Sequence, residues 1–116
     1  MNKEIKAQWL TALRGGEYAQ GWGQLRKGNE FCCLGVLCDL AEKAGVIESH
    51  EDEWNIHHYG DNGESSVLPY AVRQWVSLLH FDPEVRTGSG VLALSKVNDE
   101  LNYSFYEIAE LIEEQL

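Results

Sequence analysis

Positive charge is scarce in this sequence. The 116 residues include 9 lysines and arginines against 19 aspartates and glutamates, which gives a formal net charge of −10. Affinity for nucleic acids and for anionic membrane surfaces comes largely from basic side chains that neutralise phosphates. The shortage argues against a general nucleic-acid binder and against adhesion to a membrane. The basic residues that exist lie mainly in residues 1–38 and between Arg73 and Lys96.

Long apolar runs and paired cysteines are missing as well. No stretch approaches the roughly 20 apolar residues of a membrane-spanning helix, and Met1–Glu4 lacks the apolar character of a signal peptide. The three cysteines, Cys32, Cys33 and Cys38, are odd in number and lie in an apolar run, which is typical of buried free thiols. We therefore expect a cytoplasmic protein.

The sequence contains no motif for catalysis or for metal binding. There is no P-loop, nucleophile elbow or dinucleotide-binding turn, and Gly21-Trp22-Gly23 alone is too short a signal. The cysteines and His57-His58 do not have zinc-ligand spacing, and Glu51-Asp52-Glu53 lacks the alternating ligands of a calcium loop. We expect no catalytic residues, no metal and no cofactor.

Helical periodicity, by contrast, is abundant. Phe31 to Ala44 is apolar on most sides, which predicts a central buried helix over residues 32–44. The chain has the usual size of one domain. We predict a single globular domain, residues 1–116, with an α+β fold in which about four helices surround the central one, beside one or two short β-hairpins. The surrounding helices are predicted over Lys3–Arg14, Pro69–Leu79, Val91–Leu101 and from Ser104 onward.

Local signals place the ends of these elements. Ser104 followed by Glu107 is a capping-box pattern. Turns are predicted at Lys27-Gly28-Asn29 and at Asp61-Asn62-Gly63, where the second would join a strand over residues 54–59 to one over residues 65–68. The inward face of the helix after Pro69 would consist of Val72, Trp75, Val76 and Leu79, and residues 81–90 are predicted to be a loop.

The stretch from Tyr18 to Lys27 is the most suggestive for binding. Aromatic rings stack on bases, basic side chains neutralise phosphates, and glycines let backbone N–H groups approach an anion. Alternatively, Tyr18 and Trp22 pack on the first helix while the basic side chains are solvated. The candidate ligand-binding residues are Tyr18, Gln20, Trp22, Arg26 and Lys27, with Arg73 and Arg86 as arginines that the fold would have to bring to the same site.

The central segment also carries a family resemblance. Its motif, Cys-Cys-Leu-Gly-Val-Leu-Cys-Asp over residues 32–39, resembles the core of a family of small phage and prophage proteins of unassigned function. The resemblance covers nearly the whole chain, including Trp9–Tyr18, Leu68-Pro69 and Ile108–Glu113. It implies an accessory protein acting in the cytoplasm of an infected bacterium, and it supplies no site residues.

Small phage proteins of this kind often antagonise host immunity, which by analogy suggests two functions. In the first, the protein is a sponge, expected to be a homo-oligomer, that sequesters a small anionic nucleotide-type immune signal. In the second, it is an inhibitor whose acidic residues 48–64 and last helix bind a host defence protein and mimic nucleic acid. A structural or regulatory phage protein is the third alternative.

Overall fold

The fold combines five helices with three small sheets. The computed structural model describes residues 1–116, and it confirms the predicted α+β class. The helices are α1 (Lys3–Arg14), α2 (Cys33–Lys43), α3 (Tyr70–Val76), α4 (Leu94–Asp99) and α5 (Phe105–Gln115). The strands are β1 (Ala19–Gln20), β2 (Arg26–Lys27), β3 (Glu30–Phe31), β4 (Ser49–Glu51), β5 (His57–Tyr59), β6 (Glu84–Thr87) and β7 (Gly90–Ala93). None of the helices has the length and apolarity needed to cross a membrane.

Helix α2 is the centre of the core, as predicted. Every residue from Phe31 to Asp39 is buried, and α1, α3 and α4 all pack against α2. The helix begins at Cys32, whose sulfur accepts a hydrogen bond from the backbone N–H of Gly35. All three cysteines are free and buried, and burial raises the pKa of the Cys32 thiol to about 12. The thiols therefore stay protonated and unreactive.

The first hairpin turns at Gly28-Asn29, as predicted, and β1 pairs in parallel with the other side of β3. The second hairpin was predicted with the wrong partner. Strand β5 pairs with β4, and residues 59–64 form only a single bridge. The backbone groups of the predicted strand over residues 65–68 bond elsewhere, because Ser65 accepts from Leu25 and Leu68 donates to Phe81.

Three predictions between residues 69 and 101 were also wrong. Helix α3 ends at Val76 because Ser77 adopts a left-handed conformation with φ of 59°, so Leu79 is exposed instead of facing the core. The predicted loop over residues 81–90 contains β6, which pairs with β7 around a glycine-containing turn. The helix predicted from Val91 consequently begins at Leu94.

The last helix follows its predicted capping box. The hydroxyl of Ser104 accepts from the Glu107 backbone at 3.2 Å, and the Glu107 carboxylate accepts from the Ser104 backbone at 3.0 Å. Helix α5 packs on α1, where Arg14 pairs with Glu110 and Glu113. Part of the negative charge of the last helix is therefore neutralised within the molecule.

Candidate binding cleft

Tyr18 and Arg26, two of the predicted ligand-binding residues, are brought together around Asp39 of α2. The Tyr18 hydroxyl donates to the Asp39 carboxylate at 2.5 Å, and Lys43 lies 3.2 Å from the same carboxylate. The Arg26 guanidinium lies 3.7 Å from Asp39 and stacks 4.9 Å over the ring of Phe31. Asp39 is only 7% exposed. Because Arg26 pairs with this buried carboxylate, its charge is neutralised within the fold.

Gln20 is likewise committed to the fold, whereas Trp22 and Lys27 are not. The Gln20 amide donates to the side chain of Asn98 at 2.9 Å and to the carbonyl of Tyr103 at 2.8 Å. Trp22 is 56% exposed, and Lys27 is exposed without an ion-pair partner. The stretch from Tyr18 to Lys27 thus offers one indole and one ammonium group to a ligand.

The structure does not bring the other two candidate arginines to that stretch. Arg86 lies on β6, where its backbone N–H and carbonyl both bond to the side-chain amide of Gln115. Arg73 lies on α3 and contacts Tyr70 and Leu79. Arg26, Arg73 and Arg86 therefore belong to three different parts of the surface.

A cleft of about 990 Å³ lies beside Arg73, at the upper end of the roughly 300–1,000 Å³ that is usual for ligand sites. It runs between the β4–β5 region and α3. Its lining consists of residues 45–50, 59–62, 64, 67–71, 73 and 81. Arg73 is the one candidate residue from the sequence that lies in it.

An exposed apolar patch borders the cleft, and Arg73 contacts two of its three residues. Tyr70 is 63% exposed, Leu79 is 88% exposed and Phe81 is 57% exposed. The Arg73 guanidinium stacks 5.4 Å from the centre of the Tyr70 ring and donates to the Leu79 carbonyl at 3.0 Å. We call Tyr70, Arg73, Leu79 and Phe81 the Arg73 patch.

Arg73 retains unused hydrogen-bonding capacity. Its Nε atom is buried and has no hydrogen-bond partner, and no carboxylate of the chain forms an ion pair with it. A buried donor left in this state costs about 1–3 kcal/mol. On the β4–β5 side, three carboxylates without ion-pair partners line the cleft: Glu48, Asp61 and Glu64.

Near the cleft, Ser49, His57 and Glu51 are linked in the order of a serine hydrolase triad. The proton of Ser49, however, is not directed to the histidine. Ser49 Oγ lies 3.2 Å from His57 Nδ1, and His57 Nε2 lies 3.3 Å from Glu51. A nucleophilic serine must pass its proton to the histidine. Ser49 instead donates to the Glu42 carboxylate, 2.9 Å away. No cluster of His, Cys, Asp or Glu has the geometry to hold a metal.

The fold and this site define a small α+β domain with an open cleft and an exposed apolar patch. The chain belongs to the family described as a domain of unknown function, DUF8296, whose match covers residues 1–116. No curated protein and no solved structure matches the chain.

Proposed function

We propose that this protein binds a partner protein through the Arg73 patch and the adjoining cleft. It acts by remaining bound to this partner and blocking it. The observation that carries the proposal is an arginine without an ion-pair partner, set among three exposed apolar side chains. Tyrosine and arginine dominate the residues that contribute most to protein–protein affinity. Exposed apolar patches beside polar rims are typical of interaction sites.

The charge of the cleft favours a basic partner surface. The lining contains the three carboxylates Glu48, Asp61 and Glu64, and Arg73 is its only arginine or lysine. In general, two like charges roughly 8 Å apart repel each other by roughly 0.5–2 kcal/mol for dielectric constants between 80 and 20. A dianionic ligand would meet this repulsion from three carboxylates, whereas lysines and arginines on a protein would be attracted. The net charge of −10 would also steer a basic protein from a distance.

The resemblance to phage and prophage proteins supports a bacterial host protein as the partner. Binding to a host defence protein would then protect the phage, as in the hypothesis of an inhibitor. This part of the proposal is by analogy to other phage accessory proteins.

A nucleotide-type ligand is the second candidate, and Arg73 is the observation that favours it. A terminal nitrogen of its guanidinium would donate to a phosphate oxygen while Tyr70 or Phe81 stacks on a base, because no carboxylate of the chain pairs with Arg73. Carboxylates in the cleft would accept hydrogen bonds from ribose hydroxyls, as acidic residues do in dinucleotide sites. The surplus of carboxylates fits a ligand with a single negative charge best.

Truncating the two aromatic rings of the patch is expected to abolish partner binding. Immobilised wild-type protein and the Tyr70→Ala/Phe81→Ala variant would be incubated with bacterial lysate, with Trp22→Ala as the matched control for an exposed ring outside the cleft. We expect one basic protein on wild type and on the control, released by salt, and at least thirtyfold weaker retention on the double variant, since hot-spot residues contribute about 2 kcal/mol or more. Equal retention on all three proteins would contradict the proposal.

Wild type and an Arg73→Gln variant distinguish the second candidate. Thermal unfolding would be followed with cyclic mononucleotides, which carry one negative charge, and with cyclic dinucleotides, which carry two. A hundredfold excess over the dissociation constant stabilises by about 2.7 kcal/mol. Stabilisation by a nucleotide that Arg73→Gln abolishes, without any retained protein, would replace the first proposal by the second.

A further inference from the structure

Both ring nitrogens of His58 face hydrogen-bond acceptors. Nε2 lies 2.8 Å from a carboxylate oxygen of Asp52, and Nδ1 lies 3.2 Å from the carbonyl oxygen of Gly63. A backbone carbonyl never donates, and an ionised carboxylate only accepts. Because an imidazole carries N–H groups on both nitrogens only when protonated, the geometry at His58 fits the imidazolium ion.

His58 connects two segments that shape the cleft. Asp52 organises the β4–β5 turn, where its other oxygen accepts from the backbone N–H groups of Trp54 at 2.8 Å and Ile56 at 3.0 Å. Gly63 belongs to the turn over residues 60–64, which lines the cleft. A proton on His58 thus ties the hairpin to the cleft wall.

We propose that His58 is a proton-dependent latch that holds the turn over residues 60–64 in place, so that binding in the cleft weakens as the pH rises. The effect on binding rests on the proposed function, whereas the latch itself is a property of the free protein. Loss of the proton removes one of the two hydrogen bonds of His58. The turn is then held by backbone bonds alone, among them those between Gly60 and Glu48 and between Tyr59 and Glu64, so its position is less tightly fixed.

The charges around His58 give the direction of this effect. Asp52 and the stacked ring of His50, 5.3 Å away, face it from the β4 side. Lys27 and Glu64 adjoin its strand through backbone bridges. The hydrogen bonds to Asp52 and to Gly63 raise the pKa of His58 above its usual 6.5, and the bond from His58 lowers the pKa of Asp52.

The pH window follows from these shifts. The pKa of His58 is higher in the folded state, so its protonated form stabilises the fold. This stabilisation is fully present below pH 6.5 and is lost as the pH rises through the pKa of the folded state. The lowered pKa of Asp52 gives a contribution that is lost only under strongly acidic conditions, as the pH falls through its folded value. The latch is therefore closed in mildly acidic solution and opens on the alkaline side.

Titration of the free protein by NMR tests the latch. The His58 ring is expected to titrate above about pH 6.5 in wild type and to return toward that value in Asp52→Asn, while Asp61→Asn, which changes a cleft carboxylate that does not touch His58, leaves it unchanged. The backbone amide signals of Asn62 and Gly63 should follow the His58 midpoint. The latch would be overturned if Asp52→Asn left the His58 midpoint unchanged. It would also be overturned if the amide signals of Asn62 and Gly63 did not follow that midpoint.

Retention of lysate protein at pH 6 and pH 9 tests the consequence. Wild type and His50→Gln should both retain severalfold less protein at pH 9, and His58→Gln should lose this dependence. Retention that does not change with pH in wild type overturns the regulation but not the proposed function. A titrating latch with no retained protein overturns the proposed function and leaves the latch.

Discussion

Gly35→Ala is expected to destabilise the folded protein by about 4 kcal/mol or more, which few single substitutions do. A Cβ atom at this position of α2 would lie 1.6 Å from the carbonyl oxygen of Leu25 and 2.5 Å from its carbon. The obstacle is backbone that has no room to move. Leu25 is fully buried, its N–H donates to Ser65 at 2.7 Å, and its carbonyl accepts from Cys32 at 3.2 Å.

Urea unfolding monitored by circular dichroism measures this effect, and the chain contains a matched control. At Gly88, in the β6–β7 turn, an added methyl group would meet no atom within 4 Å, and the backbone is not left-handed. Gly88→Ala should therefore change the free energy of unfolding by no more than about 0.5 kcal/mol. A Gly35→Ala protein as stable as the Gly88→Ala protein would mean that α2 and the Leu25 loop do not touch as described.

Asn98→Ala is expected to cost about 3 kcal/mol. The Asn98 side chain is fully buried, and its amide donates to the carbonyl of Gly21 at 2.9 Å and to Asp99 at 2.8 Å. Its oxygen accepts from the N–H of Cys33 at 3.2 Å and from Gln20 at 2.9 Å. Truncation strands the buried N–H of Cys33 and the carbonyl of Gly21, at about 1–3 kcal/mol for each unsatisfied group.

The comparison for this substitution is Asn29→Ala, which removes an exposed asparagine from the β2–β3 turn. Thermal and urea unfolding should show a loss of stability for Asn98→Ala and a change within about 0.5 kcal/mol for Asn29→Ala. Asn98→Asp keeps the shape but replaces the N–H groups that bond to Gly21 and Asp99 by a carboxylate oxygen that faces two acceptors, so it should also destabilise the protein. If Asn98→Ala, Asn98→Asp and Asn29→Ala all unfold at the same urea concentration, the hydrogen bonds of Asn98 do not stabilise the stretch from Tyr18 to Lys27.

Local signals were sufficient for the longest helices and insufficient for the short strands. Helices α1, α2 and α5 each span 11 or 12 residues, enough for the apolar period to repeat, and the capping box marks the start of α5. The strands have 2 to 4 residues, too few for an alternating pattern. Their partners depend on long-range hydrogen bonds, so residues 49–51 and 84–87 were not predicted as strands.

The candidate site was only partly accessible from the sequence. The residue types in the stretch from Tyr18 to Lys27 suit an anionic ligand, but the pairing of Arg26 with Asp39 arises from tertiary structure. Leu79 matched the inward spacing of α3 and became exposed because the helix ends at Ser77. The signal that was available is Arg73 between Tyr70 and Leu79, an arginine in a segment otherwise rich in apolar residues.

Site-specific photo-crosslinking tests the central claim, that the partner binds at the Arg73 patch and not at the stretch from Tyr18 to Lys27. A photoreactive phenylalanine analogue would replace Tyr70 in one protein and Trp22 in another, since both side chains are more than half exposed, at 63% and 56%. We predict that position 70 crosslinks to one basic bacterial protein and that position 22 does not. Crosslinking of the same protein from position 22, with none from position 70, would contradict the account.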